Sequence, residues 1–207
     1  LLREADNGPI LTLGTAGRLA MLISHHREKL INAIVFFAEN TRYCGKLKLI
    51  KLLYLLDFGH FRETGRSVTG LEYSAWKMGP VPVSFFEEWD DIRADLSAAI
   101  EIRPERVIDF VRETVRARTP FDPTHFTKRE VRLMEQLAAR FHEDLSRPMV
   151  ELTHEESGPW SAIWDDGRGQ NERIPFTLAV PADAPDREAV LDSARLHAGI
   201  AGASSTH

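Results

Sequence analysis

The chain has 207 residues, 43% of them hydrophobic and 28% charged, proportions ordinary for a soluble globular protein of one domain or one domain with an appendage. No run approaches the ~20 apolar residues of a membrane span, and the single cysteine, Cys44, excludes an internal disulfide framework. The formal net charge of −5 argues against nucleic acid as the main partner.

Residues 1–22 mix glycine, proline and isolated apolar residues without helical periodicity, and read as an N-terminal arm outside the folded body. The start, Leu1 to Asn7, lacks the basic-then-apolar order of a secretory signal, so a cytoplasmic location is expected. From Ser24, a candidate cap, Leu30, Ile31, Ile34, Val35, Phe37 and Ala38 recur at helical spacing up to Asn40. Cys44 then precedes a second helix, where it reads as a helix-flanking apolar residue, since no histidine or second cysteine joins it in a redox motif.

That second helix, from Lys46 to Phe61, has two apolar stripes: Leu49, Leu52, Leu53 and Leu56, then Ile50, Tyr54, Phe58 and Phe61. Apolar residues on two faces predict a helix covered on more than one side, around which the rest of the fold packs. Lys51 and Asp57 interrupt it. A charge among hydrocarbons needs partners, so Asp57 is expected to hold a neighbouring loop through backbone N–H groups, or to pair with an arginine.

After Thr64-Gly65 the alternation of Ser67 to Pro82 is not helical, and Gly79-Pro80-Val81-Pro82 reads as a rigid turn because two prolines fix φ and remove donors. A helix beginning at Val83 is expected to carry Phe85, Phe86 and Trp89 on one side, and Glu87, Glu88, Asp90, Asp91 and Asp95 on its remaining surface. Val107, Phe110, Val111 and Val115 would also suit a helix, but β-branched content favours Ile100 to Arg103 and Arg106 to Arg118 pairing as a β-hairpin that turns at Pro104-Glu105. Thr127 and Glu130 form a capping box for a helix carrying Val131, Met134, Leu137, Ala138 and Phe141. A short apolar element, Met149 to His154, precedes a short helix that Pro159 suits at its first turn. A last helix is expected from Pro185 to about Leu196, and a mobile tail from Gly202 to His207. The fold class that follows is α+β, mostly α: a helical domain around a buried central helix, with a small β-hairpin.

The ordered set Lys46-Leu47, Lys51-Leu-Leu-Tyr54, Asp57, Ala75-Trp76, Gly79-Pro80-Val81, Leu152-Thr153-His154 and Pro159-Trp160 resembles the Panacea domain family, typified by SocA-like antitoxins of bacterial toxin–antitoxin pairs. The resemblance implies a domain over residues 23–180, flanked by the arm and by a C-terminal helix and tail over 181–207. Within it, Lys51, Tyr54, Asp57, Trp76, His154 and Trp160 form the structural motif. It implies an antitoxin that binds and neutralises a protein toxin, and, as in SocA, an adaptor that delivers the toxin to the ClpXP protease.

A search for catalytic chemistry supports a binding protein over an enzyme. His154-Glu155-Glu156 lacks the second histidine one turn on that a zinc protease helix needs, position 158 being glycine, and His25 and His26 are adjacent on a helix and point apart. His154 therefore reads as a capping or core-edge residue. No Gly-rich phosphate loop follows a strand and no Gly-x-Ser-x-Gly elbow occurs. No metal and no cofactor are expected. The toxin-binding surface is expected at Gly79, Pro80, Val81 and Val83 with Phe85 and Phe86 as aromatic anchors and Glu88 and Asp91 on an acidic rim. The alternative is a DNA-contacting autoregulator using Lys46, Lys48 and Lys51 with Arg103, Arg106, Arg112, Arg116 and Arg118. A basic stripe over a groove-sized helix would favour DNA, and an apolar patch with a charged rim would favour protein.

Overall fold

The computed structural model describes residues 15–107, 110–154 and 158–202. Eight α-helices and two antiparallel two-stranded sheets are arranged among them around one helix. The architecture is α+β, mostly α, as the sequence predicts.

The central helix, α2, spans Lys46–Thr64 and is preceded by α1, Thr15–Asn40. Both apolar stripes of α2 are used: Leu49, Ile50, Leu52, Leu53 and Leu56 are fully buried, and Tyr54, Phe58 and Phe61 nearly so. The helix stops at Gly65, whose φ of 73° places it in the left-handed region that glycine enters without a Cβ penalty. α1 begins at Thr15, so Ser24 lies inside the helix rather than capping it, and the last eight residues of the expected arm are helical. Residues 1–14 of that arm lie outside the described residues.

After α2 comes a small hairpin, β1 at Ser74–Trp76 paired with β2 at Gly79–Val81. The turn expected at Gly79–Pro82 is therefore one step earlier, at Lys77-Met78, and Gly79–Val81 is a strand. A proline is tolerated there because a two-stranded sheet has only edge strands. The other edge of β1 is covered by residues 171–174, since Ala75 N donates to Glu172 O, Asn171 N to Ala75 O and Ile174 N to Tyr73 O, each at 2.8 Å.

The helix expected to run on from Val83 is broken. α3 ends at Glu88, the chain turns through Trp89–Arg93, and α4 resumes at Ala94–Ala99. A polar contact spans the break: Arg27 of α1 hydrogen-bonds both Glu88 and Asp95, holding the two carboxylates on one guanidinium. The Arg27 hydrogen bond holds the Asp95 carboxyl down to about 2.

β3, Ile100–Val107, pairs with β4, Phe110–Ala117, in the expected antiparallel hairpin. The pairing runs on to Val107 opposite Phe110, so Pro104-Glu105 stays within the strand, opposite Glu113 and Arg112. The hairpin pins the start of α2: Val115 N donates to Cys44 O at 2.7 Å, and a Cβ on Gly45 would stand 2.6 Å from Glu113 O, so only glycine fits. Cys44 is buried in the apolar core, and burial pushes its thiol up to about 11.

α5, Lys128–Arg140, has the reciprocal Thr127–Glu130 capping box, and Glu130 also accepts from Lys29 of α1 at 2.7 Å. α6 spans Ser146–Thr153 and α7 Pro159–Trp164, with Pro159 in its first turn. α8, Arg187–Gly202, closes the far end of α2, where Ser193 Oγ donates to Thr64 O at 2.9 Å. It runs past Leu196, and the tail expected from Gly202 lies, beyond that residue, outside the described residues.

Candidate functional site

Residues far apart in the chain meet at the β1–β2 hairpin, and α2 supplies its floor. Asp57 is fully buried and acts as the sequence suggests: Oδ1 accepts from the N–H groups of Val68 and Thr69 at 2.8 Å. Its Oδ2 accepts from the hydroxyls of Thr69 and Tyr73. Burial pushes the carboxyl above its ordinary range while the four donors pull the other way. Tyr54 packs edge-on to Tyr73, 5.5 Å between centroids, and tilted on Phe58 at 4.3 Å, completing an aromatic support for the loop that leads into β1.

Nearer the hairpin, three side chains hold its backbone from below. Lys51 Nζ donates to Pro80 O at 3.1 Å, and Trp160 Nε1 to Trp76 O at 3.0 Å. His154, just past α6, hydrogen-bonds the Met78 backbone and stacks on Trp160 with rings 3.8 Å apart and nearly parallel. It is a core-edge histidine, and the helix N-cap is Gly158 instead. Its Nε2 is shielded from solvent and makes no hydrogen bond. Burial, then the Lys51 charge, keep His154 below its ordinary pKa. Lys51 itself is fully buried, and burial brings its ammonium down to about 7.

Gly79 makes this close approach possible. Its φ is 98°, and a Cβ there would overlap the Lys51 ammonium and stand 3.0 Å from Thr153 Oγ1 and 3.1 Å from His154 Nε2. The motif residues Lys51, Trp76, Gly79, Pro80, Thr153, His154 and Trp160 are thus one assembly, joined by tertiary structure.

The outer side of the hairpin has a different character. Trp76 is half-buried and edge-on to Phe86 of α3 at 5.0 Å, and Lys46 Nζ sits 3.6 Å from the Phe86 centroid. Met78 at the tip is 54% exposed, unusual for a large apolar side chain. Beside them Val83 is half-buried, and Ser84, Glu87, Asp90 and Asp91 are exposed. Of the residues expected to face a partner, Gly79, Pro80, Val81 and Phe85 are instead buried, because β2 lies over α2 and Phe85 enters the core. Glu88 is buried as well and bound to Arg27, so it is not on an open rim. Phe86, Val83 and Asp91 remain accessible. Trp76 and Met78 are the surface residues that sequence reasoning did not assign to a partner, and the hairpin register was the missing signal.

Of the basic residues considered for DNA, Lys48 and Lys51 are buried, Lys46 covers Phe86, and Arg103 and Arg112 of the β3–β4 hairpin pair with Glu101 at 2.8 Å and Glu105 at 2.7 Å, which leaves Arg106, Arg116 and Arg118 exposed on that hairpin. An apolar patch with an acidic rim remains, the arrangement that favours a protein partner.

The fold and this assembly define a mostly helical domain in which α2, the small hairpin and the α6–α7 corner are one unit. The family described as Antitoxin SocA-like, Panacea domain, matches residues 49–161, more than half of the chain, and the chain belongs to that family. The match runs from the body of α2 to Ser161, a narrower span than the 23–180 the motifs suggested. No curated protein and no solved structure matches the chain. No helix among the described residues is long and apolar enough to cross a membrane.

Proposed function

We propose that this chain is the antitoxin of a toxin–antitoxin pair and neutralises its toxin by binding it as a protein, through the outer face of the β1–β2 hairpin and α3. The observation that carries the surface is exposed Met78 at the tip of a hairpin whose Trp76 stacks edge-on against half-buried Phe86. Family membership supports the antitoxin role. The hairpin is held by Lys51, His154 and Trp160 before any partner arrives, so docking orders little backbone. Aromatic and methionine side chains of this kind anchor protein interfaces. Glu87, Asp90 and Asp91 would steer a basic partner and make association slow as salt rises.

The test pairs the chain with the product of its neighbouring gene in co-purification and growth rescue. Met78→Asp should fold within about 0.5 kcal/mol of wild type, as exposed substitutions do, and weaken toxin binding by at least about tenfold. Glu87→Lys/Asp91→Lys should slow association and flatten its salt dependence. Full rescue with unchanged affinity in both folded variants would overturn this surface. Delivery of the bound toxin to ClpXP is the further step the family role suggests. Following toxin turnover with and without ClpX separates masking from degradation.

A further inference from the structure

A second cluster lies away from the hairpin, where α1 meets the segment leading into α5. His25 and Glu28 are one turn apart on α1, and His125 comes from the loop before Thr127. His25 Nδ1 is 3.4 Å from Glu28 Oε2, and His125 Nε2 is 2.9 Å from the same oxygen. The two imidazole rings lie 4.7 Å apart, tilted by 41°. One ligand atom from each of the three residues falls within 4.8 Å of the others, and all three residues are half-buried. His25 Nδ1 is shielded from solvent yet makes no hydrogen bond.

We propose that His25, Glu28 and His125 bind one divalent transition-metal ion of the zinc class. Two imidazole nitrogens and one carboxylate oxygen are a donor set suited to zinc, nickel or cobalt rather than to calcium or magnesium. Metal–ligand bonds of about 2.0–2.2 Å in a tetrahedral site put neighbouring donors about 3.4 Å apart. The His25–Glu28 separation already has that value, the His125–Glu28 edge opens by about half an ångström, and the two histidine donors, within 4.8 Å of each other, close toward the same spacing. Three protein ligands leave a fourth position for water.

His125 is presented by an ordered loop. Asp122 N donates to Asn32 Oδ1 on α1 at 3.0 Å, Thr124 N to Asp122 Oδ1 at 2.9 Å, and Phe126 packs on Phe121 at 5.6 Å. A metal would therefore staple the loop before α5 onto α1. Glu28 and His25 lie outside the segment matched by the family, so the site would bind α1 to the family domain.

The experiment uses the full chain without a purification tag, freed of metal by a chelator and titrated with zinc chloride, and in parallel with cobalt chloride. One equivalent of zinc should bind, and cobalt should give the visible absorption of a four-coordinate site. His25→Ala/His125→Ala should weaken binding by at least about 100-fold, and Glu28→Gln by about tenfold or more. His26→Ala, which removes the exposed neighbouring histidine, should bind as wild type does. A hundredfold excess of zinc over its Kd should raise the melting temperature of wild type by about 5–10 °C and leave that of the double variant unchanged. Absence of stoichiometric zinc binding tighter than about 10 µM would overturn the proposal. So would unchanged affinity in the double variant, or, should that variant not fold, in Glu28→Gln.

Discussion

Lys48 and Lys51 are one turn apart on α2, both buried, and their surroundings differ. Lys48 Nζ donates to four carbonyls: Arg42 O at 2.7 Å, Phe141 O at 2.6 Å, Asp144 O at 2.8 Å and, more weakly, His142 O at 3.3 Å. Its charge sits against the C-terminal end of α5, where the helix dipole and unpaired carbonyls favour a cation. Lys51 Nζ meets one carbonyl, that of Pro80, and its neighbour His154 Nε2 makes no hydrogen bond. Burial lowers both ammonium groups from their ordinary value, but only Lys51 is brought as far as about 7. Burial of a charge is therefore not by itself a sign of function: Lys48 ties two chain segments together, while Lys51 is the under-satisfied cation in the floor of the hairpin. The four-carbonyl cage predicts a stabilising residue, and the single carbonyl predicts one whose removal the fold tolerates.

The sharpest way to break this contrast is Lys48→Met. It leaves several buried carbonyls without a donor, each a loss of about 1–3 kcal/mol if unrelieved, so the variant should lose about 2–4 kcal/mol in urea denaturation. A wild-type midpoint would mean that water replaces the ammonium and that the cage is no staple. Next in size is Gly79→Ala, which combines a φ of 98° with overlap of the Lys51 ammonium. It should cost about 1–3 kcal/mol. Gly79→Ala in a Lys51→Met background should cost measurably less or more than the sum of the parts, since the two atoms touch.

Lys51→Met alone has the smallest expected effect, within about 1 kcal/mol at pH 7, because an apolar isostere removes a desolvated charge along with one hydrogen bond. Its signature lies in pH dependence. The folded chain holds the Lys51 proton with a pKa of about 7, against 10.5 for the ordinary side chain. Between those values the unfolded chain binds more protons, so this group's contribution to stability rises with pH across that window and levels off above it. Wild type should gain on Lys51→Met by up to about 3 kcal/mol between pH 7 and 9.5. Parallel stability profiles for the two proteins would show that Lys51 keeps an ordinary pKa and that the contrast with Lys48 fails.

Particular residues show where the sequence was readable. The double stripe of α2 is a property of one helix and needs no partner to be seen, so Leu53 and Tyr54 could be placed inside from spacing alone. The Thr127–Glu130 capping box and the Gly65 stop are local in the same way. The loop-holding role of Asp57 followed from the cost of burying a carboxylate. Glu88 did not fit its local reading, because Arg27 lies 61 residues away and nothing near Glu88 announces it. The turn of the β3–β4 hairpin was misplaced for a related reason: Pro104-Glu105 has turn composition, but pairing with Glu113 and Arg112 kept it in the strand.

The sequence by itself determined the central helix, the mostly helical class and the motif order that places the chain in the SocA-like, Panacea domain family. These rest on periodicity, capping and residue order, which act over a few residues. Only the tertiary structure decided that Lys51, Gly79, His154 and Trp160 share one floor, that Met78 rather than Val81 is the exposed tip, and that His25, Glu28 and His125 face one another. Those outcomes depend on contacts between segments far apart in the chain, where the side chain's neighbours, not its own position in the chain, fix its burial and charge.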